Sequence, residues 1–245
     1  GSQQLMRSFA ITLARNGYLA LTFDFLGHGR NLRPLGGDVT KVEGSTQLLL
    51  QQMRDMVEYG LSVPGVDGRV TLLGHSMASD VIVRYAQSDD RVDATVAVSM
   101  FSPAVTPTAP RNLLVIAGGL EGFLKEEALR VVGMRTPDPV PGVTFGSFAD
   151  GSARRAAFAQ GVEHVGVLYS GDSMRETVAW LDQVYERSAS GHVDQRGGAI
   201  VMLLLGVALL GWPLARLLPR VARRRGVTLD WRRLLPVMLI PMFAT

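Results

Sequence analysis

The sequence predicts an α/β fold, a mostly parallel sheet with helices on both faces, followed by one or more membrane-spanning helices. The apolar runs of strand length are continuous rather than alternating, which is typical of parallel strands buried on both faces. Segments with helical spacing of apolar residues separate these runs, as parallel connections require. Near the C-terminus, residues 197–215 form a stretch of 19 residues without a charge, long enough to cross a bilayer as a helix.

Predicted strands and helices alternate along residues 1–187, which we interpret as one domain. Continuous apolar runs predict strands over residues 18–25, 70–73, 94–101, 113–117 and 154–159. Apolar residues at helical spacing predict helices over residues 3–15, 45–59, 79–87, 125–132 and 173–187. Residues 188–197 are rich in small and polar side chains and are predicted to form a linker.

The C-terminal part of the chain predicts a membrane anchor. The alternative is a buried core helix, but such a helix rarely lacks a polar face. We therefore expect a transmembrane helix over residues 198–219, a basic loop over 220–233 and the start of a second transmembrane helix over 234–245. Residue 1 is not Met and the second apolar run stops at residue 245, so we expect a fragment of a longer protein, truncated at both ends.

The charges are divided unevenly along the chain. Residues 1–215 carry 18 Lys and Arg against 21 Asp and Glu, whereas residues 216–245 carry seven Arg against one Asp. A basic cluster can bind nucleic acid, but between two apolar spans it is better interpreted as the positive-inside signal. We therefore expect the bilayer as partner and no nucleic acid, with the loop in the cytoplasm and the domain on the extracytoplasmic face. The absence of cysteine excludes disulfides and thiolate chemistry.

A Gly-x-Ser-x-Ala turn, residues 74–78, joins the predicted strand 70–73 to the helix after it. This is the strand–turn–helix context of a nucleophile elbow, where a serine lies on a strained turn with its hydroxyl exposed above the sheet. Small residues two positions before and after the serine let strand and helix pass closely, and here they are Gly74 and Ala78. The context predicts Ser76 as a nucleophile, and the side chain of His75 is expected to point away from its hydroxyl.

A serine hydroxyl needs a base to take its proton, and that base needs an acid to hold its tautomer. Of the four histidines, only His164 follows a late strand and precedes a helix. Glu121 is the carboxylate that directly follows the strand 113–117. The alternatives are a structural or solvated histidine and a surface glutamate. Asp24 precedes the serine in the chain, and we expect it to hydrogen-bond the loop 27–30.

Four pieces of the chain resemble an α/β-hydrolase domain of the lidless esterase, dienelactone-hydrolase and serine-aminopeptidase-like kind. They are the Asp24-Phe-Leu-Gly-His-Gly29 loop, the Gly74-His-Ser-Met-Ala78 elbow, Gly118-Gly-Leu-Glu121 and the loop of His164. The resemblance implies Ser76 as nucleophile, His164 as general base and Glu121 as acid. It also implies the backbone N–H of Met77 as one oxyanion-hole donor, facing the charge that develops on the carbonyl oxygen.

The chain departs from the family pattern at three points. The acid is usually Asp, the elbow usually ends in Gly, and a second oxyanion donor comes from a His-Gly-x loop, expected upstream of residue 1. Only the ten residues 102–111 separate two strands where caps often insert, so no large lid is expected. The resemblance implies a membrane-anchored serine hydrolase that cleaves an ester, thioester or amide of a small-molecule acyl substrate, without metal or cofactor. The alternative is an inactive hydrolase-like module for binding or assembly at the membrane.

Overall fold

A computed structural model describes residues 2–38, 41–188, 190–218, 230–232 and 234–235. The chain divides into two compact units, Gly1–Arg196 and Gly197–Thr245. The first unit contains the predicted strand and helix pattern, and each unit is described separately below.

The first unit alternates helices and strands, each named here with its bounds. In chain order they are α1 (Arg7–Arg15), α2 (Gln47–Ser62), β1 (Val70–His75), α3 (Met77–Ala86), β2 (Val92–Val98), β3 (Leu113–Gly118), α4 (Gly122–Gly133), β4 (Arg154–Ala159) and α5 (Gly171–Val184). A short π-helical turn, Val42–Thr46, precedes α2, and a 3₁₀ turn, Gly166–Tyr169, precedes α5. The five helices predicted for this unit and four of its five predicted strands are confirmed, with shifted ends.

The four strands form one sheet in the order β1-β2-β3-β4, and every neighbouring pair is parallel. The register pairs Leu73 with Val96, Ala97 with Val115 and Ile116 with Ala157. Since parallel strands run in the same direction, their carboxyl ends meet at one edge of the sheet. The loops that follow the four strands therefore begin close together.

Helices cover both faces of the sheet, which explains why its strands are continuously apolar. Successive side chains of a strand point to opposite faces, and β3 shows this directly. Leu113 and Val115 pack in one cluster with apolar residues of α2, α3 and α4. Leu114 and Ile116 pack in a second cluster with residues of α1 and α5. All four β3 side chains are fully buried.

The predicted strand over residues 18–25 is wrong, because the structure assigns no strand to this segment. A strand requires partners for its backbone N–H and C=O groups, and no ladder pairs this segment within the described residues. Residues of the segment and of β1 instead line one cavity of about 400 Å³. The apolar character that predicted a buried strand is real, but β1 is the edge of the sheet and the segment does not pair with it.

Arg154 of β4 is a buried cation that connects three parts of the first unit. Its side chain is only 1% exposed, and its guanidinium donates to the carbonyl oxygens of Val131, Thr106 and Ala109. Desolvation by burial, assisted by the charge of Arg135, lowers the pKa of Arg154 to about 10. The guanidinium thus connects β4 to α4 and to the loop before β3.

Replacing this buried cation is expected to destabilise the fold more than replacing its neighbour. Arg154→Met removes three hydrogen bonds that a buried guanidinium donates to carbonyl oxygens, and it should lower the free energy of unfolding by about 1–3 kcal/mol. Arg155→Met removes an ion pair to Glu176, with an N–O distance of 3.0 Å, and a hydrogen bond to the Thr144 hydroxyl. Both lie near the surface, so the loss should stay below about 1 kcal/mol. Chemical denaturation of the full chain in detergent measures both. Equal losses would contradict the structural role of Arg154.

In the second unit, the helix α6 (Arg196–Leu217) is 22 residues long and apolar enough to cross a membrane. None of its most apolar stretch is buried within the structure, which is unlike a soluble core helix. This agrees with the predicted span over residues 198–219. The predicted basic loop 220–233 and second span 234–245 lie outside the described residues, except for residues 230–232 and 234–235.

Candidate active site

The three side chains predicted as nucleophile, base and acid lie together at the carboxyl edge of the sheet. Ser76 directly follows β1, Glu121 lies three residues after β3, and His164 lies in the loop after β4. Ligand sites of open parallel sheets commonly form at this edge, because the loops there converge.

The three side chains form a continuous chain of hydrogen bonds. His164 Nε2 lies 2.9 Å from Ser76 Oγ, and His164 Nδ1 lies 2.5 Å from Glu121 Oε1. A carboxylate only accepts hydrogen bonds, so Nδ1 carries a proton and donates a hydrogen bond to Glu121. In a neutral ring, Nε2 is then free to accept the hydroxyl proton of Ser76. The arrangement can therefore make the serine oxygen nucleophilic.

Ser76 has a backbone conformation that residues other than glycine rarely adopt. Its φ is 55° and its ψ is −125°, and α3 begins at the next residue. A Cβ added to Gly74 would lie 2.7 Å from the carbonyl oxygen of Ala78, so strand and helix could not pass as they do. Ala78 itself is buried and has room for its methyl group. The elbow therefore needs glycine before the serine but accepts alanine after it.

Glu121 is not a surface glutamate, since it is 8% exposed. Its second oxygen, Oε2, accepts hydrogen bonds from the Gly118 N–H at 2.6 Å and from the Ser99 hydroxyl at 2.7 Å. A buried carboxylate is costly without such donors. With them, Oε2 is fixed in place and Oε1 remains directed at the imidazole of His164.

Sequence reasoning missed two residues that support this arrangement. Ser99 immediately follows β2 at the same sheet edge, but the predicted strand extended to residue 101 and concealed it. The ring of His75 does not bond to the hydroxyl of Ser76, and its Nε2 lies 2.8 Å from the carbonyl oxygen of His164. The two imidazole rings are 4.7 Å apart. The end of a strand directly before Ser99 was the sequence signal that could have identified this residue. No such signal exists for His75, because its contact with His164 depends on the tertiary fold.

Two further predicted residues, Met77 and Asp24, lie at the start of α3 and beside the loop 27–30. The backbone N–H of Met77 begins α3, where helix N–H groups lack intrahelical acceptors, and it is adjacent to Ser76. Asp24 accepts a hydrogen bond from the Arg30 N–H at 2.9 Å, as expected for an acid that orders the loop 27–30. Burial opposes ionisation of Asp24, but backbone hydrogen bonds from Arg30 and Gln3 outweigh it and lower its pKa.

The described residues contain no group of three or more His, Asp or Glu side chains that could hold a metal ion. The cavity beside β1 is lined by Gly74, His75 and Ala78, which flank Ser76 in the chain. Compared with known proteins, the chain matches no protein-family model and no curated protein. A functional proposal therefore depends on the geometry of the site itself.

The close passage at Gly74 generates a stability prediction. Gly74→Ala places a methyl group against backbone atoms of Ala78 and should lower the free energy of unfolding by about 1–3 kcal/mol, as overpacking does. The matched control is Gly122→Ala, because a Cβ at that position meets nothing within 4 Å. Denaturant titration of both variants measures the difference. A Gly74 variant as stable as the control would refute the proposed crowding.

The partly buried imidazole of His75 predicts a pH dependence of stability. Desolvation by burial lowers its pKa and outweighs the hydrogen bond to the His164 carbonyl oxygen, which acts in the opposite direction. As pH falls below about 6.5, the unfolded chain binds a proton there that the folded chain resists, so this residue lowers stability in acid. In His75→Gln, the free energy of unfolding should fall less between pH 7 and pH 5 than in the wild type. A difference between the two proteins that stays constant from pH 8 to pH 5 would exclude this effect.

Proposed function

We propose that this chain is a membrane-anchored serine hydrolase of the α/β-hydrolase type, which cleaves an ester, thioester or amide through an acyl-enzyme. One observation supports the proposal above the others. Ser76, His164 and Glu121 form an unbroken chain of hydrogen bonds at the carboxyl edge of a parallel sheet. Their order along the sequence, Ser then Glu then His, is the order of the α/β-hydrolases.

In the proposed reaction, Ser76 Oγ attacks the acyl carbonyl carbon while His164 Nε2 accepts the hydroxyl proton. Glu121 stabilises the resulting imidazolium through its bond to Nδ1. The Met77 N–H donates to the carbonyl oxygen as negative charge develops there. The bond to the leaving group then breaks, and the imidazolium returns its proton to that group. Water attacks the acyl-enzyme with His164 again as base, which releases the acid and restores the serine.

The membrane anchor in this proposal is α6, and its orientation follows from the flanking charges. Seven Arg lie in residues 216–245, and positively charged segments next to a span remain in the cytoplasm. The proposed hydrolase domain, which precedes α6, would then lie on the extracytoplasmic face.

Labelling with a fluorophosphonate, which reacts with activated serines, tests the proposed activity. We expect the full chain in detergent to be labelled, Ser76→Ala to abolish labelling, and His164→Ala to slow it by about 10³-fold or more, because the hydroxyl then lacks its base. Glu121→Gln should also slow labelling, since an amide does not stabilise the imidazolium. Loss of the exposed hydroxyl in Ser62→Ala should change nothing.

The folding of each variant is checked by circular dichroism before labelling rates are compared. A folded wild-type chain that is not labelled would exclude the hydrolase and favour the alternative, an inactive module for binding or assembly at the membrane. Labelling that persists in Ser76→Ala would place the reactive serine elsewhere.

A further inference from the structure

Five large hydrophobic side chains next to the proposed catalytic groups are exposed to solvent, and we call them the apolar rim. Each is between 43% and 65% exposed, and they are Met77, Phe101, Leu120, Phe123 and Val165. Single exposed apolar residues are common on protein surfaces, whereas several around one site indicate a binding surface.

Two members of the apolar rim directly follow residues of the hydrogen-bonded chain. Met77 follows Ser76, and Val165 follows His164. Because the Ser76 hydroxyl and His164 Nε2 are 2.9 Å apart, the start of α3, where Met77 lies, and the loop of Val165 meet at the nucleophile. A substrate whose carbonyl carbon reaches Ser76 therefore arrives beside both segments.

The other three members adjoin the acid and its donor. Leu120 precedes Glu121 and Phe123 follows it by two residues, while Phe101 lies two residues after Ser99, whose hydroxyl binds Glu121. The rings of Phe101 and Phe123 stack in a tilted pair with centroids 5.6 Å apart. The loop after β2 and the start of α4, which both adjoin Glu121, thus present a joint aromatic surface, although aromatic rings usually bury most of their area.

Three of the charged side chains that lie close to the apolar rim in sequence have hydrogen-bonding partners. Lys125 donates to the Gly119 carbonyl oxygen at 2.8 Å, and Glu163 accepts the N–H groups of Val165 and Gly166. Asp80, three residues after Met77, is paired with Arg84. This environment suits an uncharged substrate chain better than one with a carboxylate or phosphate beside the scissile bond.

We propose that the apolar rim binds the acyl chain of the substrate, so that the enzyme prefers esters of long, uncharged acyl chains over acetate esters. The inference rests on the proposed function, since the acyl carbonyl has to lie at Ser76 for its chain to reach the rim. Transfer of each methylene from water to an apolar surface is favourable, so the preference should grow with chain length. A membrane helix in the same chain is consistent with substrates that partition into lipid.

The test is a series of p-nitrophenyl esters, from acetate through butyrate to octanoate, with the full chain in lipid nanodiscs. For the wild type, kcat/KM should rise about tenfold or more from acetate to octanoate. Phe101→Ser and Phe123→Ser should each lower kcat/KM for octanoate by about tenfold and for acetate by less than about twofold. The matched control is Leu32→Ser, because Leu32 is 97% exposed and lies outside the rim; its profile should equal that of the wild type.

Fluorophosphonate labelling of every variant separates this inference from the proposed function. If the labelled wild type has a kcat/KM that does not depend on acyl-chain length, the acyl-chain site is excluded but the hydrolase activity is not. The same holds if the rim variants lose acetate and octanoate activity equally. A wild type without labelling would overturn both. If Phe101→Ser or Phe123→Ser does not fold, Phe101→Leu and Phe123→Leu are measured instead. We expect them to lose octanoate activity as well, but to a smaller extent.

Discussion

The parallel pairing of β1 to β4 is the constraint on which the rest of the site depends. It places the residues that follow each strand at one edge, so that groups 88 and 43 positions apart in the chain, Ser76 with His164 and Glu121 with His164, become hydrogen-bonded neighbours. Because helices cover both faces of this sheet, polar side chains reach solvent mainly at its edges. The site therefore forms at the strand ends, which the helices on the two faces of the sheet do not cover.

Most of this arrangement could be predicted from the sequence, since topology alone brings strand ends together. Ser76, Glu121 and His164 were selected by their positions after strands, and the structure places them in contact. The supporting bonds were less accessible. Ser99 was hidden because the end of a strand is set by where its ladder stops rather than by apolar composition. The partner of His75, the carbonyl oxygen of His164, lies in a loop 89 positions further along the chain, and no local pattern in the sequence indicates this contact.

The segment 18–25 shows where pattern reasoning fails for a physical reason. A continuous apolar run predicts burial, but a strand additionally needs backbone partners on a neighbouring strand. Burial of this segment is uneven, with Phe25 buried while Leu19 is half exposed. It lines a cavity with β1 instead of joining the sheet. Composition therefore predicted the environment of the segment approximately and its hydrogen bonding incorrectly.

The site reverses the usual distribution of polar and apolar groups in a folded protein. A carboxylate, Glu121, is buried and needs two donors beside its bond to His164, while two phenylalanine rings nearby remain half exposed. Ser76 adds a strained backbone conformation to both. Each feature costs stability on its own, and none improves the packing of the core. Their coincidence around one hydroxyl is accounted for if the carboxylate orients a base, the strain presents a nucleophile and the rings receive an apolar substrate.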